Sequence, residues 1–316
     1  MNAKPSFLLL GNSNSAAQFA DGLISTGCSC VAAVSLAKDL LPNNSDGLKS
    51  WSEKLSIKYF EVTGVDNHEF KEIIKSTDPD LLIVNWPRII NKSVLNLFRL
   101  GAIGSHPSQL PWGKGRHPLH WQIAMGIQNS CLSFFQLTPE VDDGPLLLQV
   151  PIEISDEDTI LTLLSKIDNA TFVGARELGL KIIKKQLEPL PIPDGRAGSV
   201  WRRRYPADIE IDCRMSTSAI IRLVHSFIPP YPGAKLVTEF GSLIITGATK
   251  YDFKSWDLHQ IGSVLITTTN SIVLRADDGP IELKFRDQLP ESFSKLRFVL
   301  PPSFYSTKEA NEYVRP

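Results

Sequence analysis

The chain has 316 residues, 42% of them hydrophobic, and its 33 Lys and Arg against 34 Asp and Glu leave a net charge of −1. That length allows about two domains, and the composition is that of an ordinary globular chain rather than a disordered or fibrous one. Near-neutral charge argues against a protein built mainly to grip nucleic acid, and no apolar run approaches the roughly 20 residues needed to cross a bilayer. The cysteines, Cys28, Cys30, Cys131 and Cys213, lack zinc-site spacing. Residues 1–5 carry no signal-peptide pattern. A cytoplasmic enzyme with reduced, mostly buried thiols is expected.

The first apolar run, residues 6–10, reads as a strand, followed by the small-residue turn Gly11-Asn12-Ser13-Asn14-Ser15 and a helix over 16–25. Such a turn exposes backbone N–H groups at the positive end of a helix, so Asn12, Ser13 and Asn14 could hold a phosphate or another anion of a substrate. The same turn would equally serve as a plain connection. Residues 31–35 read as a second strand, 48–55 as a short helix after the loop at 42–47, 58–62 as a strand, and 68–76 as a helix whose His68 suits a solvated or capping role. The run DLLIVNW, residues 80–86, is apolar and flanked by Pro79 and Pro87, as a short buried strand requires. A helix over 92–98 leads to a strand near 101–105. This alternation predicts an α/β fold with a largely parallel sheet covered on both faces.

Residues 101–143 concentrate the chemistry. His106-Pro107 follows the strand end, and Pro111, Gly113 and Gly115 keep the chain irregular until Pro118 opens a helix through Gly126. In open α/β sheets ligands bind where strands end in loops. Residues 132–137 form a further apolar strand, and the turn from Thr138 to Pro145 places Asp142 and Asp143 at its end. An imidazole and a carboxylate at two such ends could share a cleft and tune each other's charge, although a surface histidine and a turn-forming acid pair use the same residue types. Lys114 and Arg116 bring cations close to His106. They could clamp a phosphate or carboxylate, Arg116 with its fork geometry, or Arg116 could tie the loop to an acid. His120 suits packing or surface.

After a strand at 146–154, Asp156, Glu157 and Asp158 precede a long apolar-patterned helix over 160–186, with an interruption expected near Gly174. Residues 187–195 are Pro-rich and read as a linker. The cluster Trp201-Arg202-Arg203-Arg204-Tyr205 suits an interdomain contact better than nucleic acid. A helix over 216–227, the turn Pro229-Pro230-Tyr231-Pro232-Gly233-Ala234 and short strands at 236–240, 242–248, 262–269, 271–276 and 281–285 suit a small barrel, with a polar tail from Ser303. The expected division is 1–190 catalytic, 191–204 linker and 205–316 barrel-like.

His106, Ser108, Leu110 and Pro111, then Lys114-Gly115, then Asp142-Asp143-Gly144 stand in the order and spacing of a known pattern: an Asn-x-His-x-Ser-x-Leu-Pro loop, an Arg-Gly turn and an Asp-x-Gly turn. The chain thereby resembles the formyltransferases that use 10-formyltetrahydrofolate, over nearly its whole length. The resemblance implies a Rossmann-like N-terminal domain, a smaller barrel-like C-terminal domain of OB type, and metal-free formyl transfer to a primary amine. It casts His106 and Asp142 as catalytic, and Pro87, Arg88, Ile89, Ile90, Leu137, Val141 and Asp143 as folate-binding. Asn12, Ser13, Asn14, Ser108, Lys114 and Arg116 would hold the acceptor. The Pro-Tyr-Pro-Gly-Ala turn and the near-neutral charge look more like the amino-sugar enzymes than the tRNA enzyme. A nucleotide-linked amino sugar is therefore the expected acceptor, ahead of methionyl-tRNA and of an amino-acid or peptide amine, and a homodimer the expected assembly. One position departs: Gly104 stands where the family has asparagine, a donor whose loss costs about 10²–10³ in rate. Asn85, Ser105 and His117 are the nearest substitutes by sequence, and a folate-binding or hydrolytic member impaired in transfer is the alternative reading.

Overall fold

The computed structural model describes residues 4–41, 45, 47–191 and 198–305. Its larger sheet starts with β1 (Ser6–Gly11), β2 (Ser29–Leu36), β3 (Tyr59–Val62), β4 (Leu81–Asn85) and β5 (Ala102–His106). These five run parallel, in the order β3-β2-β1-β4-β5. Phe7, Leu8, Leu9 and Leu10 are all buried, which explains why β1 is continuously apolar rather than alternating: helices cover both its faces. The chain then forms the two-residue strand β6 (Lys114–Gly115) before β7 (Asn129–Gln136) and β8 (Leu146–Glu153) extend the sheet antiparallel beyond β5.

The crossing helices are α1 (Asn14–Ile24), α2 (Lys49–Lys54), α3 (His68–Thr77) and the single turn α4 (Lys92–Leu95), shorter than the helix expected over 92–98. Ser13 caps α1 by accepting from the Ala16 N–H and Asn67 caps α3 by accepting from Phe70. On one face of the sheet Leu8, Leu10, Val34, Leu82 and Val84 pack with Phe70, Ile73 and Val94. On the other, Phe19 of α1 meets Phe134 of β7 edge to face at 5.1 Å. After α5 (Pro118–Met125), α6 (Ile160–Ile183) runs unbroken through Gly174, contrary to the interruption expected there. The glycine serves packing instead: a Cβ at Gly174 would lie 2.3 Å from the Phe134 ring.

Contacts divide the chain into two compact units. The first comprises Met1–Pro118, Asn129–Glu153 and Leu164–Arg202, and the second Leu119–Gln128, Ile154–Leu163 and Arg203–Pro316. They interleave along the chain, whereas the sequence pattern marked one contiguous break at 191–204, of which residues 192–197 lie outside the described residues. Within the first unit, β9 (Val200–Trp201) pairs parallel with β6.

The second unit carries α7 (Thr217–His225) and an antiparallel sheet of β10 (Ala234–Thr238), β11 (Gly241–Lys250), β12 (Val264–Thr267), β13 (Ser271–Ala276) and β14 (Gly279–Phe285), in the order β10-β11-β14-β13-β12. Ile220, Leu223 and Val224 of α7 are buried in the same core as Leu236, Ile245, Ile272 and Leu283. All five strands overlap the ranges expected from the turns between them, β10 lying two residues earlier, and among the described residues no ladder joins β10 to β12. Arg204 of this unit is buried, its guanidinium over the rings of Trp121 and Phe227 at 4.9 and 4.6 Å. One of the three arginines of the basic cluster is therefore spent on packing, while Arg202 and Arg203 are exposed. No helix among the described residues is long and apolar enough to cross a membrane.

Candidate active site

The parallel strands deliver β1, β4 and β5 to one edge, with Gly11 opposite Asn85 and Val84 opposite Gly104. A cleft of about 500 Å³ opens there in the first unit, at the carboxyl ends of the strands as this class of sheet dictates. His106 ends β5 and is 7% exposed. Its Nε2 lies 2.9 Å from the carbonyl oxygen of Gly113. A carbonyl only accepts, so Nε2 carries the hydrogen, and Nδ1 faces Asp142, 3.5 Å from its Oδ2. Asp142 sits in the left-handed region at φ 51° and accepts the Gly115 N–H at 2.9 Å. The spacing-based pairing of these two residues is thus realised in space.

Behind His106 a polar brace holds the loop. Ser108 Oγ donates to the Trp112 carbonyl at 2.8 Å, and Ser133 Oγ donates to the Ser108 carbonyl at 2.6 Å while accepting from Leu110 N–H at 3.1 Å. Gln149 Nε2 donates to the Leu110 carbonyl at 3.0 Å. Ser108, expected at the acceptor, is directed into this brace and is 1% exposed.

One wall of the cleft is formed by Pro87, Arg88, Ile89, Ile90, Leu137 and Val141, largely apolar and suited to a flat heterocycle. Arg88 donates to the Thr63 carbonyl at 2.9 Å. The polar side has Asn12, Ser13, Asn85 and Arg116. Asn12 Oδ1 accepts from Leu36 N–H at 2.8 Å, which leaves its buried Nδ2 without a partner. Ser13 Oγ donates to Asn85 Oδ1 at 3.0 Å. Asn14 turns away, donating to Asp168 at 2.6 Å. Lys114 is paired with Asp143, and neither contributes to the lining.

Above Gly104 the space of the expected asparagine is taken by Leu137, whose Cδ1 lies 2.8 Å from the position of a Cβ. Asn85 and His117 both line the cleft. Strand alternation turns the Ser105 side chain to the face opposite Gly104 and His106, although Ser105 borders the cleft. Phe135, Trp86, Thr138 and Glu140 also line it. The sequence reading assigned them no role, because apolar and turn residues at strand ends look like core and connection. Among the described residues no cluster of three or more His, Cys, Asp or Glu could hold a metal ion.

A largely parallel sheet brings a histidine and a carboxylate together at the carboxyl ends of its parallel strands, an arrangement that can serve acid–base chemistry. A sequence model of the formyl transferase family matches residues 7–173, and the chain belongs to that family. It is 27% identical over 210 residues to the bifunctional polymyxin resistance protein ArnA of Wigglesworthia glossinidia brevipalpis, a match covering 66% of this chain and 32% of that one. The chain thus spans about a third of the length of that relative. Among solved structures, WlaRD, a sugar 3N-formyl transferase crystallised with dTDP and 5-N-formyl-THF, shares the fold with a TM-score of 0.66 at 15% identity, covering 91% of this chain and all of that one. An N-formyltransferase of Helicobacter canadensis, in complex with folinic acid and dTDP-3-aminofucose, gives 0.66 at 16% identity over 90% of this chain and 100% of that one. HypX of Aquifex aeolicus gives 0.64 at 14% identity over 94% of this chain and 49% of that one.

Proposed function

We propose that the protein transfers the formyl group of 10-formyltetrahydrofolate to the primary amine of a nucleotide-linked amino sugar, with His106 and Asp142 at the reacting centre. The observation that carries the reading is the pair itself, 3.5 Å apart in a cleft lined by both apolar and polar residues. The Pro87, Ile89, Ile90, Leu137 and Val141 wall fits a pterin, and the folates named with the two sugar-enzyme neighbours agree with it. Asn12, Ser13 and Arg116 supply donors for an anionic acceptor, in line with the dTDP-linked ligands of those neighbours.

The chemistry needs three things from the chain. As the amine nitrogen bonds to the formyl carbon, the carbonyl oxygen gains negative charge, and Nδ1 of a protonated His106 donates to it. Asp142 stabilises that imidazolium and receives the proton that the amine sheds. The bond from the formyl carbon to the folate nitrogen then breaks, its electron pair leaving with that nitrogen, which takes up a proton.

Methionyl-tRNA as acceptor is the second reading. The burial of Arg204 removes part of the basic surface that it would use. A folate-binding or hydrolytic role is the third, motivated by Gly104. A cytoplasmic location and a homodimer complete the proposal, the latter checked by light scattering.

The deciding experiment offers purified protein 10-formyltetrahydrofolate with dTDP- and UDP-linked amino sugars, methionyl-tRNA and free amino acids, and follows tetrahydrofolate release. Formylation of a sugar nucleotide that disappears in His106→Ala supports the reading. Formylation of methionyl-tRNA alone, or tetrahydrofolate release independent of amine, replaces it with the second or third.

A further inference from the structure

We infer that residues 198–201, beyond the stretch matched by the family, form a strap that positions His106 through Gly113, with Ser199 and Trp201 as the positioning residues. Only the kinetic arm of this inference rests on the proposed formyl transfer. Three backbone bonds join the strap to the loop: Ser199 N–H to the Pro111 carbonyl at 3.2 Å, Lys114 N–H to the Ser199 carbonyl at 3.0 Å, and Arg116 N–H to the Trp201 carbonyl at 3.0 Å. Between them the Gly113 N–H donates to Ser199 Oγ at 2.9 Å.

The indole of Trp201 closes the other side. A Cβ on Gly113 would lie 2.7 Å from its ring, and a Cβ on Gly115 would lie 2.4 Å from the Trp201 carbonyl oxygen. Gly113 is held at φ 73° and Gly115 at φ 102°, where glycine is at ease and other residues are not. Glycine makes this segment conformationally permissive, and the strap removes that freedom.

What the strap fixes is the direction of one carbonyl. The Gly113 carbonyl shares its peptide plane with the Lys114 N–H, which donates to the Ser199 carbonyl at 3.0 Å. The preceding plane is held by the Gly113 N–H donating to Ser199 Oγ at 2.9 Å, and the Gly113 carbonyl oxygen receives the Nε2–H of His106 at 2.9 Å. In the resting, neutral imidazole the bond from Nε2 selects the Nε2–H tautomer and leaves Nδ1 toward Asp142, 3.5 Å away, as the nitrogen that must take up a proton to form the imidazolium of the transfer step. Ser199 and Trp201 are absent from the residues lining the cleft. They act on the imidazole through the loop.

The test reads the imidazole directly. Protein labelled with 15N-histidine gives a long-range 1H–15N spectrum in which the neutral tautomers differ, and the His106 signal is identified by its loss in His106→Gln. Wild-type protein is expected to show the Nε2–H form. Ser199→Ala should populate both tautomers and Ser199→Thr should restore the single form, with Trp201→Ala the more disturbed. In turnover, Ser199→Ala should lower kcat about tenfold and leave KM for 10-formyltetrahydrofolate within about twofold.

An unchanged His106 signal in Ser199→Ala, whether or not activity falls, overturns the inference. If Trp201→Ala fails to fold, the Ser199 pair of variants decides alone. If wild-type protein formylates none of the amines, the functional reading fails, while the tautomer spectrum still judges the strap.

Discussion

Nδ1 of His106 and Oδ2 of Asp142 stand 3.5 Å apart, and each is tethered to the same short loop, His106 by the Gly113 carbonyl and Asp142 by the Gly115 N–H. The two groups are thus registered to one another through residues two apart in sequence. His106→Ala and Asp142→Asn are each expected to lower turnover by about 10²–10⁴, with a double variant little worse than either because they act as a unit. Independent, multiplying losses in steady-state kinetics would refute that coupling.

Gly104→Asn is expected to fold, since the atom displaced is the terminal Cδ1 of Leu137 rather than backbone. Supplying an amide beside His106 should raise turnover by about tenfold or more, a part of what such a donor is worth. A rate unchanged or lowered, with the melting temperature retained, would show that the site already has its donor.

Gly174→Ala tests packing against propensity. Replacing a mid-helix glycine by alanine gains about 1 kcal/mol of helix propensity. Here the new methyl would sit 2.3 Å from the Phe134 ring and 2.9 Å from Val150, and overpacking of that kind costs about 1–3 kcal/mol. Net destabilisation by urea denaturation is expected, and a stabilised variant would contradict the packing seen.

His225, at the end of α7, is held below its ordinary value of 6.5 chiefly by burial, opposed by a hydrogen bond with the Asp156 backbone. Its Nδ1 is buried without a partner. A base whose folded pKa is depressed charges more readily when unfolded, so its contribution is present above about pH 6.5 and is lost as pH falls through the folded value. Melting temperatures from pH 8 to pH 5 should therefore fall more steeply for the wild type than for His225→Gln. Parallel curves would dismiss this histidine as a source of acid sensitivity.

Much of the molecule was legible in the chain because its punctuation is strong. Pro79 and Pro87 bracket β4, and turns such as Ala276-Asp277-Asp278-Gly279 separate the strands of the second unit. His106 was legible by motif and by its place at the end of β5, and Asp142 by motif alone. β7 runs antiparallel to β5 with Gln136 opposite Ile103, so its end lies away from His106 and the following turn brings the carboxylate back. What escaped was set by partners distant in sequence. Nothing local in Asn14 or Ser108 reveals that one is bonded to Asp168 and the other to Trp112 in a brace with Ser133. Gly174 looked like a break because a helix and its interruption share that residue, and only Phe134 tells them apart. The pairing of β6 with β9 has two residues on each side, too few for any period.

That small ladder has a consequence for synthesis. The loop carrying the Gly113 carbonyl leaves the ribosome long before Ser199 and Trp201, and their hydrogen bonds to it form only afterwards. A nascent chain, or a fragment cut at the end of α6, would own every residue of the reacting centre yet lack the staple that orients it. The shortest competent fragment must reach past Trp201, well beyond the last residue that touches the cleft.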